Sequence, residues 1–258
     1  MTASTTARKQ APGWITYLVL IVAWEGTARI YPSVVLPGPL ETLHTLAKLF
    51  AEGRIWKPLE LSFLRFAAGF GLSFLLGTLL GIGCGIYDRL YAFIRPVVGL
   101  LQAIPPVSWI LLAILWFGVH GGAQVLVVTV ALFPVFFFNS VQGIRQVSRE
   151  MLEMAQVFRV PRSKQMRDIY FPALAPFWSA ALTVNLGTGW KTVVMSELIS
   201  GQTGIGAAMN TARIYLKTDE VMAWTLLVAV LGMGLEAAAR GWLARKRARN
   251  VCDSNISP

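Results

Sequence analysis

Charged side chains standing inside long apolar runs are where this chain could do chemistry. A charge in hydrocarbon costs at least about 2.5 to 3.5 kcal/mol unless a partner, a cavity or water receives it. Glu25, Arg65, Lys191, Glu236 and Arg240 are of this kind. Glu236 and Arg240, spaced i, i+4 close to the end of an apolar run, read as a structural ion pair. Glu25 and Arg65 stay open between structural pairing and a functional part. Lys191 could attract an anion, or snorkel toward a surface. It lies in Gly187-Thr188-Gly189-Trp190-Lys191-Thr192, which has glycines and a Lys-Thr pair in common with a phosphate-binding loop. Such a loop needs glycine immediately before the lysine, and Trp190 stands there with no Walker aspartate following, so nucleotide binding by this chain is rejected. His44 and His120 are far apart, and no Ser/His/Asp set or metal-ligand spacing is visible. Cys84 and Cys252 form no disulfide framework. No catalytic residue and no metal site is expected.

The elements that must carry these residues follow from composition. The 258 residues are 55% hydrophobic and only 14% charged, against about 45 to 50% and about 25% in soluble domains. A bilayer core of about 30 Å needs roughly 20 apolar residues in a helix. Six such runs occur, over about 14 to 31, 61 to 86, 93 to 117, 122 to 141, 173 to 195 and 221 to 243. The third is interrupted at Ile104-Pro105-Pro106, where two missing donors and the ring clashes should bend it or split it in two. The first leads to Glu25 and Arg29 rather than to a small-residue cleavage site, so it is expected to stay as an anchor. In the second, Gly69, Ser73, Gly77, Gly81 and Gly85 recur every four residues. They form one face of small residues against which another helix can pack closely.

Six spans place both termini on one side. Arg8, Lys9, Arg89, Arg95, Arg145, Arg149, Arg159, Arg162, Lys164, Arg167, Arg240, Arg245, Lys246, Arg247 and Arg249 collect there, the majority of the 23 basic residues, so that side is read as cytoplasmic. The net charge of +10 is then mostly a topology signal, the tail Arg245-Lys246-Arg247-Ala248-Arg249 could also touch anionic lipid of the bilayer, and no nucleic acid is expected.

The cytoplasmic segment at about 142 to 172 is too polar to span and is patterned as two short helices. Ser148 can cap the first, with Glu150 and Glu153 near its positive end, and Pro161 suits the first turn of the second. Met151, Leu152, Met154, Val157, Phe158 and Val160 are more apolar surface than a solvated connection needs, which points to a protein partner.

This segment, EMAQVFRVPRSKQMRDIYFP, resembles the cytoplasmic signature of permease subunits of binding-protein-dependent type I ABC importers: Glu-Ala-Ala, three residues, Gly, nine residues, Ile, one residue, Leu-Pro. Glu153, Ala155, Ile169 and Pro172 hold their places, Met154 and Phe171 are apolar exchanges, and Arg159 stands where the family has glycine. The likeness covers about residues 24 to 235 and looks closest to the nitrate, sulfonate and taurine group. It is carried by Trp24-Glu25, Leu36-Pro37-Gly38-Pro39, Ser62, Arg65, Gly69 and Phe70, then Ile104-Pro105-Pro106 with Trp116-Phe117-Gly118. Gly189-Trp190, Ser196-Glu197-Leu198-Ile199 and Gly204-Ile205-Gly206 complete it.

The resemblance implies an all-α polytopic membrane protein with about six transmembrane helices and a cytoplasmic coupling-helix hairpin. It would divide into an N-terminal tail at 1–13, a permease domain at 14–243 and a basic tail at 244–258. The implied setting is the bacterial inner membrane, with both termini cytoplasmic. Implied partners are a second copy of the chain, two ABC ATPase subunits holding ATP and magnesium, and an extracytoplasmic substrate-binding protein; the chain itself would hold no cofactor. Glu153, Met154, Ala155, Val157, Phe158, Arg159, Val160 and Pro161 would dock the ATPase. Gln102, Ser108, Trp109, Trp190, Lys191, Thr192, Ser196 and Glu197 are the pathway candidates, being polar or aromatic groups in bent or glycine-rich stretches. The cargo would be a small anion such as nitrate, a sulfonate or taurine, or else a vitamin precursor or other organic compound. An ion-coupled secondary transporter is the rival, disfavoured by the lack of a convincing repeat.

Overall fold

The computed structural model describes residues 13–119 and 121–254. The N-terminal basic residues Arg8 and Lys9, and His120, lie outside the described residues. All elements among them are helical: α1 (Gly13–Ala28), α2 (Pro39–Ala51), α3 (Trp56–Ile86), α4 (Asp88–Ala103), α5 (Pro106–Phe117), α6 (Gly122–Arg145), α7 (Arg149–Val157), α8 (Arg162–Gln165), α9 (Phe171–Ser200), α10 (Ile205–Ile214) and α11 (Thr218–Ser254). A π-turn, Met166–Tyr170, joins α8 to α9. The protein is an all-α polytopic membrane protein.

The six expected spans are realised differently. Four helical stretches are long and apolar enough to cross alone: α3, α6, the run Arg162–Ser200, and Thr218–Leu243. The third expected span is two helices bent by 96°. The break falls at Ile104 and Pro105, whose backbone is extended, as it must be where the following residue is proline. The first span ends at Ala28 rather than residue 31, leaving a 16-residue helix of about 24 Å at 1.5 Å per residue, short of a full hydrocarbon core. Trp24 Nε1 donates to the Pro37 carbonyl at 3.1 Å, which ties the C-terminal end of α1 to the loop before α2.

Small residues set the central packing. A Cβ added at Gly69, Gly77, Gly81 or Gly85 would meet Val128, Phe136, Ser140 or Ile144 of α6 at 2.6 to 2.7 Å. Ordinary carbon contacts lie at about 3.5 to 4.0 Å, so the backbones are as close as hydrogen atoms allow. Partner numbers rise together along both helices, which makes α3 and α6 parallel. The chain must therefore recross between them, and the α4–α5 pair does this: Gly85 at one end of α3 lies against Ile144, while Gly121 lies beside Arg65 near the other. Trp190 and Trp224, with Phe66, Leu132 and Phe136, fill the core between α3, α6, α9 and α11. Phe66 meets Trp190 edge-on at 6.1 Å, and Phe70 meets Phe136 at 5.4 Å, the geometry ring quadrupoles favour.

Candidate translocation core and docking surface

The helix α7 begins as its sequence dictates. Ser148 is extended, and its hydroxyl accepts from the Met151 amide at 3.3 Å. Glu150 occupies the first turn, and Glu153 pairs with Arg149 at 3.3 Å on the exposed side. Ala155 is buried, whereas Met154, Val157 and Phe158 stand 56, 79 and 75% exposed, with Met151 beside them. Spacings of three, six and seven residues put Met151, Met154, Val157 and Phe158 on one outward face.

The end of α7 explains the position of Arg159. The Val160 amide donates to the Ala155 carbonyl and the Arg159 amide to that of Gln156, both at 2.9 Å. This paired closure is a Schellman motif and requires a left-handed residue at Arg159; its φ is +51°. Glycine takes that conformation freely and arginine at a cost of roughly 1 to 2 kcal/mol. Leu216, with φ +56°, closes α10 in the same manner.

Beyond Pro161, the expected second short helix is not separate. Four residues of α8 run through the π-turn into α9, giving one continuous helical run from Arg162 to Ser200. The Phe171 amide bonds back to Met166, and Pro172 follows without a donor of its own. A wide turn there accommodates the missing hydrogen bond. The second arm of the hairpin is thus continuous with a spanning helix, and α7 is joined to it by Val160 and Pro161.

On α9 the pathway candidates divide. Trp190 is buried and donates to the Val228 carbonyl at 3.0 Å. Thr192 and Ser196 are buried with hydroxyls turned back to Thr188 and Val193 carbonyls. Lys191 points outward, in an exposed stripe with Val184, Thr188, Met195 and Ile199 at three- and four-residue spacing. Gln102 is exposed, and Ser108 and Trp109 half-buried, at the α4–α5 break. Among the described residues, no side-chain hydrogen bond or ion pair joins these three to α9.

Glu197, one of those candidates, sits in the densest polar cluster of the fold. Its carboxylate, fully buried, accepts from Arg65 Nη1 at 2.7 Å, Ser62 Oγ at 2.6 Å and the Gly206 amide at 3.2 Å. Arg65 also donates to the Thr203 carbonyl and hydroxyl at 2.6 and 2.7 Å, and Ser62 accepts from the Ile205 amide at 2.9 Å. Gly204, at φ +108°, lies against the carboxylate where no side chain would fit. The group therefore staples the loop before α10 to α3 and α9. Thr203 was missed by sequence reasoning, and the pairing of Arg65 with Glu197 was too, because 132 residues separate the partners. The joint presence of Ser62, Arg65 and Gly204-Ile205-Gly206 was the available signal.

Other charges are paired structurally. Glu236 bonds Arg240 at 2.9 Å, with Gly187 leaving room for its carboxylate, and Glu25 bonds Arg29 at 2.9 Å. At the far end of the molecule from α7, Thr45 of α2 donates to Asp219 at 3.0 Å and Arg54, in the turn after α2, pairs with Glu220 at 3.1 Å, clamping α2 and that turn to α11. The Glu220 hydrogen bond holds the Arg54 guanidinium above its ordinary range.

Comparison with known proteins agrees with this architecture. Residues 75–245 match the sequence profile of the binding-protein-dependent transport system inner membrane component. The chain is 29% identical over 226 residues to a putative aliphatic sulfonates transport permease protein of Bacillus subtilis (strain 168), covering 85% of this chain and 82% of that one. It is 26% identical to the taurine transport system permease protein of Escherichia coli (strain K12), covering 87 and 84%. It is also 26% identical to the bicarbonate transport system permease protein of Synechococcus elongatus, covering 84 and 82%. Its fold is similar to an inward-facing structure of the MetNI methionine ABC transporter, with a TM-score of 0.56 and 16% identity over 82% of this chain and 95% of that one.

Proposed function

Since the chain belongs to the family of binding-protein-dependent transport system inner membrane components, and so is a multi-pass inner-membrane permease subunit of a type I ABC importer, we propose how it works within that assembly. Two copies form the pathway, and an ATPase docks on the outward face of α7 of each copy. ATP and magnesium stay on the ATPase, and this chain performs no hydrolysis. Both termini and α7 lie in the cytoplasm, while the Thr203 loop faces a delivering binding protein.

The observation that carries this reading is the apolar face of Met151, Met154, Val157 and Phe158, exposed on the basic side of the molecule. Exposed apolar clusters of this kind mark protein contacts. An ATPase that binds one permease conformation better than the other shifts the permease by that difference in affinity and no more. The short link from α7 through Val160 and Pro161 into the continuous helix Arg162–Ser200 supports transmission of that shift. Cargo is a small anion: Lys191 stands in the exposed stripe of α9, and the relatives named above carry sulfonates, taurine or bicarbonate by their descriptions.

Replacing Phe158 with aspartate tests the docking. It puts a charge onto the C-terminal end of the apolar face at a residue that is 75% exposed. The expected result is loss of ATPase copurification by at least tenfold, with membrane insertion and monomer stability unchanged. Full retention of the ATPase and of cargo-stimulated hydrolysis would sink the assignment.

A further inference from the structure

The first helix of the bent pair, α4, carries a cationic groove that the proposed transport role does not use. Tyr91 lies between two guanidinium groups, with Arg145 Cζ 4.2 Å and Arg95 Cζ 5.9 Å from its ring centroid. Arg145 is also held by Asp88 at 2.5 Å, so most of its charge is answered. Arg95 is exposed and has no acidic partner among the described residues. Beside it opens a groove of about 590 Å³, in the size class of ligand sites, lined by Tyr91, Ala92, Arg95, Pro96 and Gly99. Pro96 brings no N–H, so the Ala92 carbonyl loses the donor a regular helix would give it. Gly99 leaves the floor of the groove flat.

Flanking this groove, Phe93, Val97 and Leu100 form an exposed apolar stripe at four- and three-residue spacing. The 96° bend means that α4 and α5 cannot both stand along the membrane normal. A helix with a cationic polar edge beside an apolar stripe suits the boundary between headgroups and acyl chains. Its start at Asp88 is level with the ends of α3 and α6 on the basic side.

We infer that the Tyr91–Arg95–Gly99 groove of α4 binds an anionic phospholipid, its phosphate at Arg95 and an acyl chain along Phe93, Val97 and Leu100. Charge complementarity selects the headgroup, since Arg95 offers an unanswered guanidinium with the forked donor geometry that phosphate oxygens accept. The apolar stripe selects a lipid over free phosphate. Basic side chains close to a membrane surface draw such headgroups. The inference depends only on the chain crossing a bilayer, so it stands or falls separately from the docking of an ATPase on α7.

The test compares binding of dioleoylphosphatidylglycerol and dioleoylphosphatidylcholine to the detergent-purified full chain, with its copurifying subunits, by native mass spectrometry and by thermal midpoint. The variants are Arg95→Gln, Arg95→Lys and, as a charge control on the same side, Lys164→Gln. Phosphatidylglycerol should bind the native chain preferentially. Arg95→Gln should weaken it about fivefold, the contribution of one basic residue near an anionic surface; Arg95→Lys should keep most of the affinity and Lys164→Gln all of it. Equal affinity in native and Arg95→Gln chains would overturn the site. So would an equal loss from Lys164→Gln, full competition by millimolar inorganic phosphate, or exclusion of the lipid whenever partner subunits are bound, which would make the face a protein interface.

Discussion

Replacing Gly81 with alanine adds one methyl group at the tightest crossing of α3 and α6. The new Cβ would stand 2.6 Å from Ser140 Cβ and 2.7 Å from the Phe137 carbonyl oxygen. Carbon pairs are comfortable at about 3.5 to 4.0 Å, so the helices must part locally by about 1 Å, and a gap of that size forfeits a quarter to a half of each dispersion contact it opens. Val128, Phe136 and Ile144 on the same seam would feel it, and overpacking of this kind costs about 1 to 3 kcal/mol. Gly71 is the internal control, because a Cβ there meets nothing within 4 Å. Alanine at that position should gain up to about 1 kcal/mol of helix propensity. The two single-methyl variants share the propensity gain, so they should differ by the overpacking cost alone, about 1 to 3 kcal/mol, with Gly81→Ala the less stable. Reversible unfolding in mixed micelles of denaturing and mild detergent, followed by circular dichroism, reads that difference. If Gly81→Ala and Gly71→Ala unfold together, the seam is not held by backbone proximity and the packing argument fails.

Two further outcomes follow from named contacts. Glu197→Gln should destabilise the chain by about 3 to 5 kcal/mol, the cost of breaking a buried pair and leaving Arg65 uncompensated, whereas Arg65→Met combined with Glu197→Met should recover a large part of it; a double variant no better than the single one, by thermal unfolding, would show the cluster is not organised around that pair. Arg159→Gly should stabilise the hairpin by about 0.5 to 1 kcal/mol, the left-handed cost removed less the extra freedom glycine gains when unfolded; hydrogen exchange of the Val160 amide reads this locally, and faster exchange in the variant would refute the strain argument.

Much of the fold was legible because the membrane makes each spanning helix satisfy its own backbone. Span existence therefore follows from local composition: the cores of α3, α6, α9 and α11 lie where apolar runs predict them. The prolines at 105 and 106 announced the break by their own covalent structure. The αL position at Arg159 was likewise implied by glycine in the signature it resembles, and Ser148 by its type ahead of a helical stretch. Legibility ended where an outcome depended on more than one segment. The size of the α4–α5 bend and the shortening of α1 are set by neighbours, and the merging of α8 into α9 by how a missing Pro172 donor is absorbed.

The candidate site divides along the same line. From sequence alone one can determine that this chain lives in a bilayer, and expect its basic residues to gather on one side and an apolar hairpin to face outward there, since each of these is a property of short stretches and their solvent. Only the tertiary structure decides that Lys191 faces out while its neighbours Trp190 and Thr192 are buried. It alone brings Glu197 to Arg65, and it alone aligns the Gly69-to-Gly85 face with α6 in parallel. Helical period places a residue on a face, but which face is covered depends on which helices arrive beside it, and in lipid that choice rests on close packing and polar pairing between segments distant in the chain.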